Sequence, residues 1–194
     1  METEFNQLWH DMINGRTYDA THYRLIEMLG QTREKLWEFN NMRPCETEAQ
    51  HEIIKNLLGH CGKNFHINQP FRCDYGQNIS IGDNFFANFN LTILDEAPVT
   101  IGDNVFIGPN VSIYTACHPL DHIERRTRQE WAEPVAIGND VWIGGGVTIV
   151  PGVTIGDRTV IGAGAVVTKD IPSDSVAVGN PAHVVKKLLL SAKR

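Results

Sequence analysis

The chain has 194 residues, 42% of them hydrophobic, enough to fill one domain with an accessory element and too apolar for global disorder. Its formal net charge of −6 excludes a general nucleic-acid binder, which needs a basic surface to neutralise phosphates. No apolar run approaches the ~20 residues of a membrane span.

The first stretch, METEFNQLWHDM, is acidic and lacks the basic-then-apolar order of a signal peptide, so a soluble, cytoplasmic protein is expected. Leu8, Trp9 and Met12 predict a short amphipathic helix ahead of the turn signal Asn14-Gly15. A second helix is predicted over about 20–39, with Tyr23, Ile26, Leu29, Leu36 and Trp37 facing inward and Arg43-Pro44 breaking it. Thr47-x-x-Gln50 reads as a capping box for a third helix carrying Ile53, Ile54, Leu57 and Leu58, ended by Gly59 and Gly62. Residues 1–61 are therefore expected to cap an open strand edge.

From residue 62 a six-residue period takes over, and such a repeat overrides local propensity. Ile81, Ala87 and Ile93 form one series, then Ile101, Ile107 and Ile113, then Ile137, Ile143, Ile149, Ile155, Ile161 and Val167. Small or β-branched residues recur four places later, at Val105, Val111, Val141, Val147, Val153, Thr159 and Ala165. This period fits neither a helix nor an alternating strand. It fits a short strand, a Gly- or Asn-bearing corner and another short strand, three of which close a triangular turn. The prediction is mainly β: a parallel β-helix over about 62–182, in one structural domain with the cap and a tail reaching 194. The tail HVVKKLLLSAKR is expected to form a short helix with Val184, Val185 and Leu188 on one face.

The pattern slips by two residues at Asp95-Glu96-Ala97-Pro98 and stops altogether over 114–134. A long polar insertion in a compact repeat is a place to look for function. There His118 leads, because an imidazole can take and return a proton near neutrality. Glu130 or Asp121 can fix its tautomer through the other ring nitrogen. Cys117 invites a nucleophile reading, but neighbouring side chains in an extended segment point apart. His118 and His122 have zinc-compatible spacing only on a helix, and this segment shows no helical pattern and no third ligand. The four cysteines form no CxxC pair and read as reduced thiols. Asp74 and Asn88 offer an acceptor and an amide donor near the excursion. Lys169, His183, Lys186, Lys187, Lys193 and Arg194 make the last third basic enough to meet an anionic ligand such as a nucleotide phosphate.

The hexapeptide turns, FRCDYGQNISIGDNFFANFN, the TACHPLD loop, GNDVWIGGGVTIVPGVTIGD and AGAVVTKDIP…GNPA together resemble the hexapeptide-repeat O-acetyltransferases, in their maltose and galactoside branch. The resemblance spans nearly the whole chain, including YDATHYR in the cap. It implies a left-handed parallel β-helix, a homotrimer with active sites between subunits, and acetyl transfer from acetyl-CoA, a co-substrate, to a sugar hydroxyl. It implies His118 as general base, Asn88 as helper at the tetrahedral transition state, and no acyl-enzyme, metal or tightly bound cofactor. Asp19, Asp74 and Glu96 fall at acceptor-binding places, with Glu130 beside them. Asp74 stands where the galactoside enzymes have serine and Glu96 where they have aspartate, which favours the maltose type. Gly145, Ala163, Thr168 and Lys169 match CoA-contacting places, and His183 and Lys186 replace arginines there. The alternatives are an O-acetyltransferase for a non-sugar alcohol such as an antibiotic, a γ-type carbonic anhydrase with interfacial zinc, and a non-catalytic β-helix scaffold.

Overall fold

The computed structural model describes residues 2–188. Three helices come first, α1 (Glu2–Ile13), α2 (Tyr23–Asn41) and α3 (Thr47–Leu57), with a two-residue strand, Tyr18–Asp19, between α1 and α2. Strands no longer than five residues then wind into three parallel faces, and the first of these strands is already His60–Cys61. One face stacks His60–Cys61, Ile79–Ile81, Val99–Ile101, Val135–Ile137 and Thr154–Ile155. The others begin at His66–Ile67 and at Phe71–Cys73. The result is the parallel β-helix required by the six-residue period.

Register explains the period. Ile81, Ile101, Ile137 and Ile155 lie directly above one another on the first face. Ala87, Ile107, Ile143 and Ile161 do so on the second, and Ile93, Ile113, Ile149 and Val167 on the third. All are buried, as are Val105, Val111, Val141, Val147, Val153, Thr159 and Ala165 at the second repeating place. Each fully buried Ile or Val contributes roughly 1.5–3 kcal/mol relative to exposure, so repetition supplies the core.

Corners are stacked too. Asn64, Asn84, Asn104 and Asp140 all adopt left-handed backbone, with φ between 56° and 57°, a conformation Asn and Asp tolerate better than most residues. Their side chains form a ladder, Asn64 donating to Asn84 (3.2 Å), Asn84 to Asn104 (2.9 Å) and Asn104 to Asp140 (3.1 Å). Gly82 is required for close approach, since a Cβ there would meet the Gly102 carbonyl oxygen at 2.7 Å.

The cap departs from the expected pattern. Tyr23, Ile26 and Trp37 are exposed, while Leu25, Thr32, Leu36 and Phe39 face inward. Helix α2 begins at Tyr23 because the preceding residues are engaged elsewhere: Tyr18–Asp19 pairs as a strand, and Asp19 accepts from the Thr21 amide (2.8 Å). The capping box does not form, for Glu46 is the N-cap without a side-chain cap bond, and Gln50 donates to the Arg43 carbonyl (2.8 Å). Where the cap meets the coil, Asn40 donates to the Phe71 carbonyl (2.8 Å) and accepts from the Phe71 amide (2.9 Å).

Two further expectations are corrected. His183–Lys187 is a strand, running antiparallel to Ser175–Val178, and not the start of a helix. The last turn offers an open edge, and β-branched Val184 and Val185 suit the strand that pairs with it. Lys193 and Arg194 lie outside the described residues. Within the excursion, Ala116–Cys117 and Gln129–Ala132 pair antiparallel, with one helical turn, α4 (His122–Arg125), between them. Asp121 starts that turn by accepting from the Ile123 amide (2.7 Å), a local cap too short to register as periodicity. Among the described residues no helix is long and apolar enough to cross a membrane.

Candidate functional site

The excursion is tied to the cap by strand pairing. Tyr18–Asp19 adds to the outer edge of Gln129–Ala132, with Tyr18 opposite Glu130 and Asp19 opposite Gln129. Tyr18 is buried, and its hydroxyl donates to Glu130 Oε1. Burial first, and then the Glu130 bond, push the Tyr18 phenol well above its ordinary range, so it remains a donor. The other Glu130 oxygen, Oε2, sits 3.2 Å from His118 Nδ1. A carboxylate there holds the proton on Nδ1 and leaves the lone pair on Nε2, the form a general base needs. Asp121, the rival for this role, is engaged in capping α4.

His118 is exposed on the wall of a cleft of about 720 Å³, with Glu130 in its lining. Ala20 and Thr21 contribute from the cap; His122, Arg125, Arg126 and Arg128 contribute from the excursion. Arg125 Nη1 donates to the carbonyls of Pro119 (2.7 Å) and Leu120 (3.1 Å) and so braces the segment after His118. Arg128 adopts a left-handed backbone, φ 64°, which costs a bulky residue about 1 kcal/mol or more.

The remaining candidates fall into separate groups. Asp19 lies next to the cleft, its carboxyl held below the usual range mainly by the Thr21 hydroxyl and then the Thr21 amide. Glu96 is buried near Asp74, and burial first, followed by the Asp74 carboxyl, pushes Glu96 up to about 9. Thr115 donates to Glu96 (3.2 Å). Asp95 beside them is fully buried and pushed up to about 7, by burial first, although its Oδ1 accepts from the amides of Asp74 (3.0 Å) and Tyr75 (2.9 Å). Asp74 also lines a second depression, of about 330 Å³, with Trp37, Asn40 and Arg72. Asn88 stands at a corner with its Oδ1 occupied by the Phe89 amide (2.8 Å), which leaves its NH₂ as donor. Gly145 and Ala163 occupy stacked corners, with the Gly164 amide donating to the Gly145 carbonyl (2.9 Å). Thr168, Lys169, His183 and Lys186 are exposed near the end of the coil. Within one chain, then, His118 and Glu130 are brought together with Asp19 alongside, and Asn88 and the Gly145–Lys186 set are not part of that cleft's lining.

Several participants escaped the sequence reading. Tyr18 is legible only once its strand is paired with Glu130. Arg125, Arg126 and Arg128 of the polar insertion line the cleft, and nothing in their spacing announces it. Cys117 is a poor nucleophile: burial, and then Glu133, Glu130 and Glu96, push its thiol up to about 11. Among the described residues no group of three or more His, Cys, Asp or Glu side chains is arranged to hold a metal ion.

Comparison with known proteins now adds to this geometry. Residues 134–169 match the bacterial transferase hexapeptide model, 98–115 the hexapeptide repeat of succinyl-transferase, and 11–62 the maltose acetyltransferase hexapeptide capping motif. The galactoside O-acetyltransferase of Escherichia coli is 49% identical over 153 residues, 79% of this chain and 75% of that protein. A maltose O-acetyltransferase structure from Clostridium difficile superposes with a TM-score of 0.93 at 48% identity, covering 94% of this chain and 97% of that one. A galactoside acetyltransferase in complex with coenzyme A superposes with a TM-score of 0.90 at 43% identity, covering 94% and 91%. With the repeats and the cap matched by family models and most of the chain matched by relatives, this chain belongs to the hexapeptide-repeat acetyltransferases, in the branch of the maltose and galactoside enzymes.

Proposed function

We propose that the chain transfers an acetyl group from acetyl-CoA to a sugar hydroxyl, with His118 as general base and no acyl-enzyme. The observation that carries this reading is the chain Tyr18–Glu130–His118, which ends on a basic imidazole nitrogen at an open cleft. His118 Nε2 takes the hydroxyl proton as that oxygen attacks the thioester carbonyl carbon. The C–O bond forms and the tetrahedral centre collapses. The C–S bond then breaks, and the proton passes to the departing CoA sulfur. The free NH₂ of Asn88 is the donor assigned to the developing oxyanion.

Asp19, Asp74 and Glu96 supply acceptors for sugar hydroxyls, and Glu130 acts through His118. Gly145 and Ala163 give a side-chain-poor track for the pantetheine arm, and Thr168, Lys169, His183 and Lys186 meet the polar end of CoA. These groups are separated within one chain, which supports a homotrimer that completes each site from two subunits. The cytoplasm, where acetyl-CoA is made and used, suits this chemistry.

The test is CoA release with acetyl-CoA and a panel of glucosides, galactosides and maltose, run beside light scattering. His118→Ala should remain a trimer and lose ~10²–10⁴ in rate. Activity within a few-fold of the parent, or turnover by a monomer, overturns the reading.

A further inference from the structure

In a chain of net charge −6, the cleft beside His118 gathers Arg125, Arg126 and Arg128, and none of them pairs with a carboxylate among the described residues. The carboxylate that lines the same cleft, Glu130, is already engaged by Tyr18 and His118. Arginines on a solvated loop ordinarily need no explanation. The backbone that carries these is held in place. Arg126 and Arg128 follow a hydrogen-bonded turn, their amides donating to the carbonyls of His122 and Arg125 (both 3.3 Å). The Arg128 carbonyl accepts from the Ala20 amide (3.4 Å), so its backbone is fixed against the cap.

Arg128 also keeps a left-handed backbone, φ 64°, where glycine or asparagine would sit with less strain. Arg158, the other arginine with such a backbone, offers a contrast. It stands at a stacked corner, and its guanidinium grips Asp174 at 2.6 and 2.9 Å. Arg128 has the strain without a carboxylate partner among the described residues, so within one chain its charge faces the cleft unpaired.

We propose that the acceptor is a sugar carrying a phosphomonoester, bound by Arg126 and Arg128 while His118 takes the proton of a hydroxyl elsewhere on the ring. This rests on reading the His118 cleft as the acceptor site. Guanidinium forks match phosphate oxygens in pairs, and a cleft of about 720 Å³ has room for a sugar and its phosphate.

The experiment is calorimetry on the full chain with glucose 6-phosphate, glucose, inorganic phosphate and CoA, for the parent and for the double variant Arg126→Ala/Arg128→Gly. Glycine at 128 suits the backbone already present there. Arg126→Gln alone, at an exposed position, gives the same readout in smaller measure should the double variant fail to fold. In the parent, glucose 6-phosphate should bind at least about 10-fold more tightly than glucose, a preference erased in the double variant and weakened by salt. CoA affinity should move less than sugar-phosphate affinity. Equal binding of glucose and glucose 6-phosphate by the parent overturns the proposal. So does binding of inorganic phosphate as tight as that of the sugar phosphate, or a loss of CoA affinity as large as the loss for sugar phosphate. Acetyl transfer to neutral sugars with no phosphate preference sinks this proposal and leaves the proposed function standing. Phosphate preference without acetyl transfer to any sugar overturns both, since an acceptor has to be acetylated.

Discussion

Glu130 uses both carboxylate oxygens, one for the Tyr18 hydroxyl of the cap and one for His118 Nδ1 of the excursion. A residue far upstream in the chain thereby orients the imidazole without touching it.

Glu130→Gln should therefore behave almost like loss of His118. An amide NH₂ turned toward Nδ1 favours the tautomer that protonates Nε2, and the rate should fall by ~10²–10⁴ with the KM for acetyl-CoA little changed. Tyr18→Phe removes one buried hydrogen bond, worth ~0.5–1.5 kcal/mol, and should cost roughly a few-fold to 10-fold in kcat. Steady-state kinetics across pH checks both. A Glu130→Gln enzyme with the parent's kcat would show that the contact is ornamental.

Glu96 and Asp95 make stability depend on pH in an unusual direction. Both carboxyls are raised in the fold, Glu96 to about 9 and Asp95 to about 7, chiefly by burial. Between the ordinary carboxyl values and these, the native state holds protons that the unfolded chain has released, so stability falls as pH rises through that window. Glu96→Gln cannot ionise, and its melting temperature should exceed the parent's by several degrees at pH 9 and by less at pH 5, with about 2–4 °C for each kcal/mol. An advantage that does not grow with pH would count against a protonated Glu96.

Cys117→Ala should retain most activity, because a thiol pushed up to about 11 supplies almost no thiolate at neutral pH. Initial-rate lines should intersect, as direct transfer requires, instead of running parallel. An acetyl group trapped on Cys117 during turnover, seen by mass spectrometry, would restore the covalent route.

Ile143 is fully buried between Ile107 and Ile161 in successive turns. Ile143→Ala should destabilise by ~2–5 kcal/mol, whereas outward-facing Thr100→Ala should stay within ~0.5 kcal/mol. Denaturant melts measure the difference, and similar midpoints for the two variants would mean the stacked column is not the core.

The β-helix was legible because its cause is repetitive: Ile81, Ile101 and Ile137 recur at positions that must superpose, so no long-range contact has to be guessed. The helix faces of the cap were not, since which side of α2 is buried depends on where Phe71 and Tyr75 meet it. His118 could be picked out by residue type in a polar insertion. Its partner required Tyr18–Asp19 to lie alongside Gln129–Ala132, a pairing of two residues that no period announces. The tail's strand depended on an edge that exists only once the coil is built.

A coil of near-identical turns contains no instruction about its own length. Its first turn is a template on which the last turn of another molecule could continue, as happens when fibrils grow by strand addition. Asn40 interrupts that possibility on one face, its amide occupying both the N–H and the C=O of Phe71 as a neighbouring strand would. One side chain thus ends the ladder at this strand, completing with an amide the pairing that the backbone leaves open.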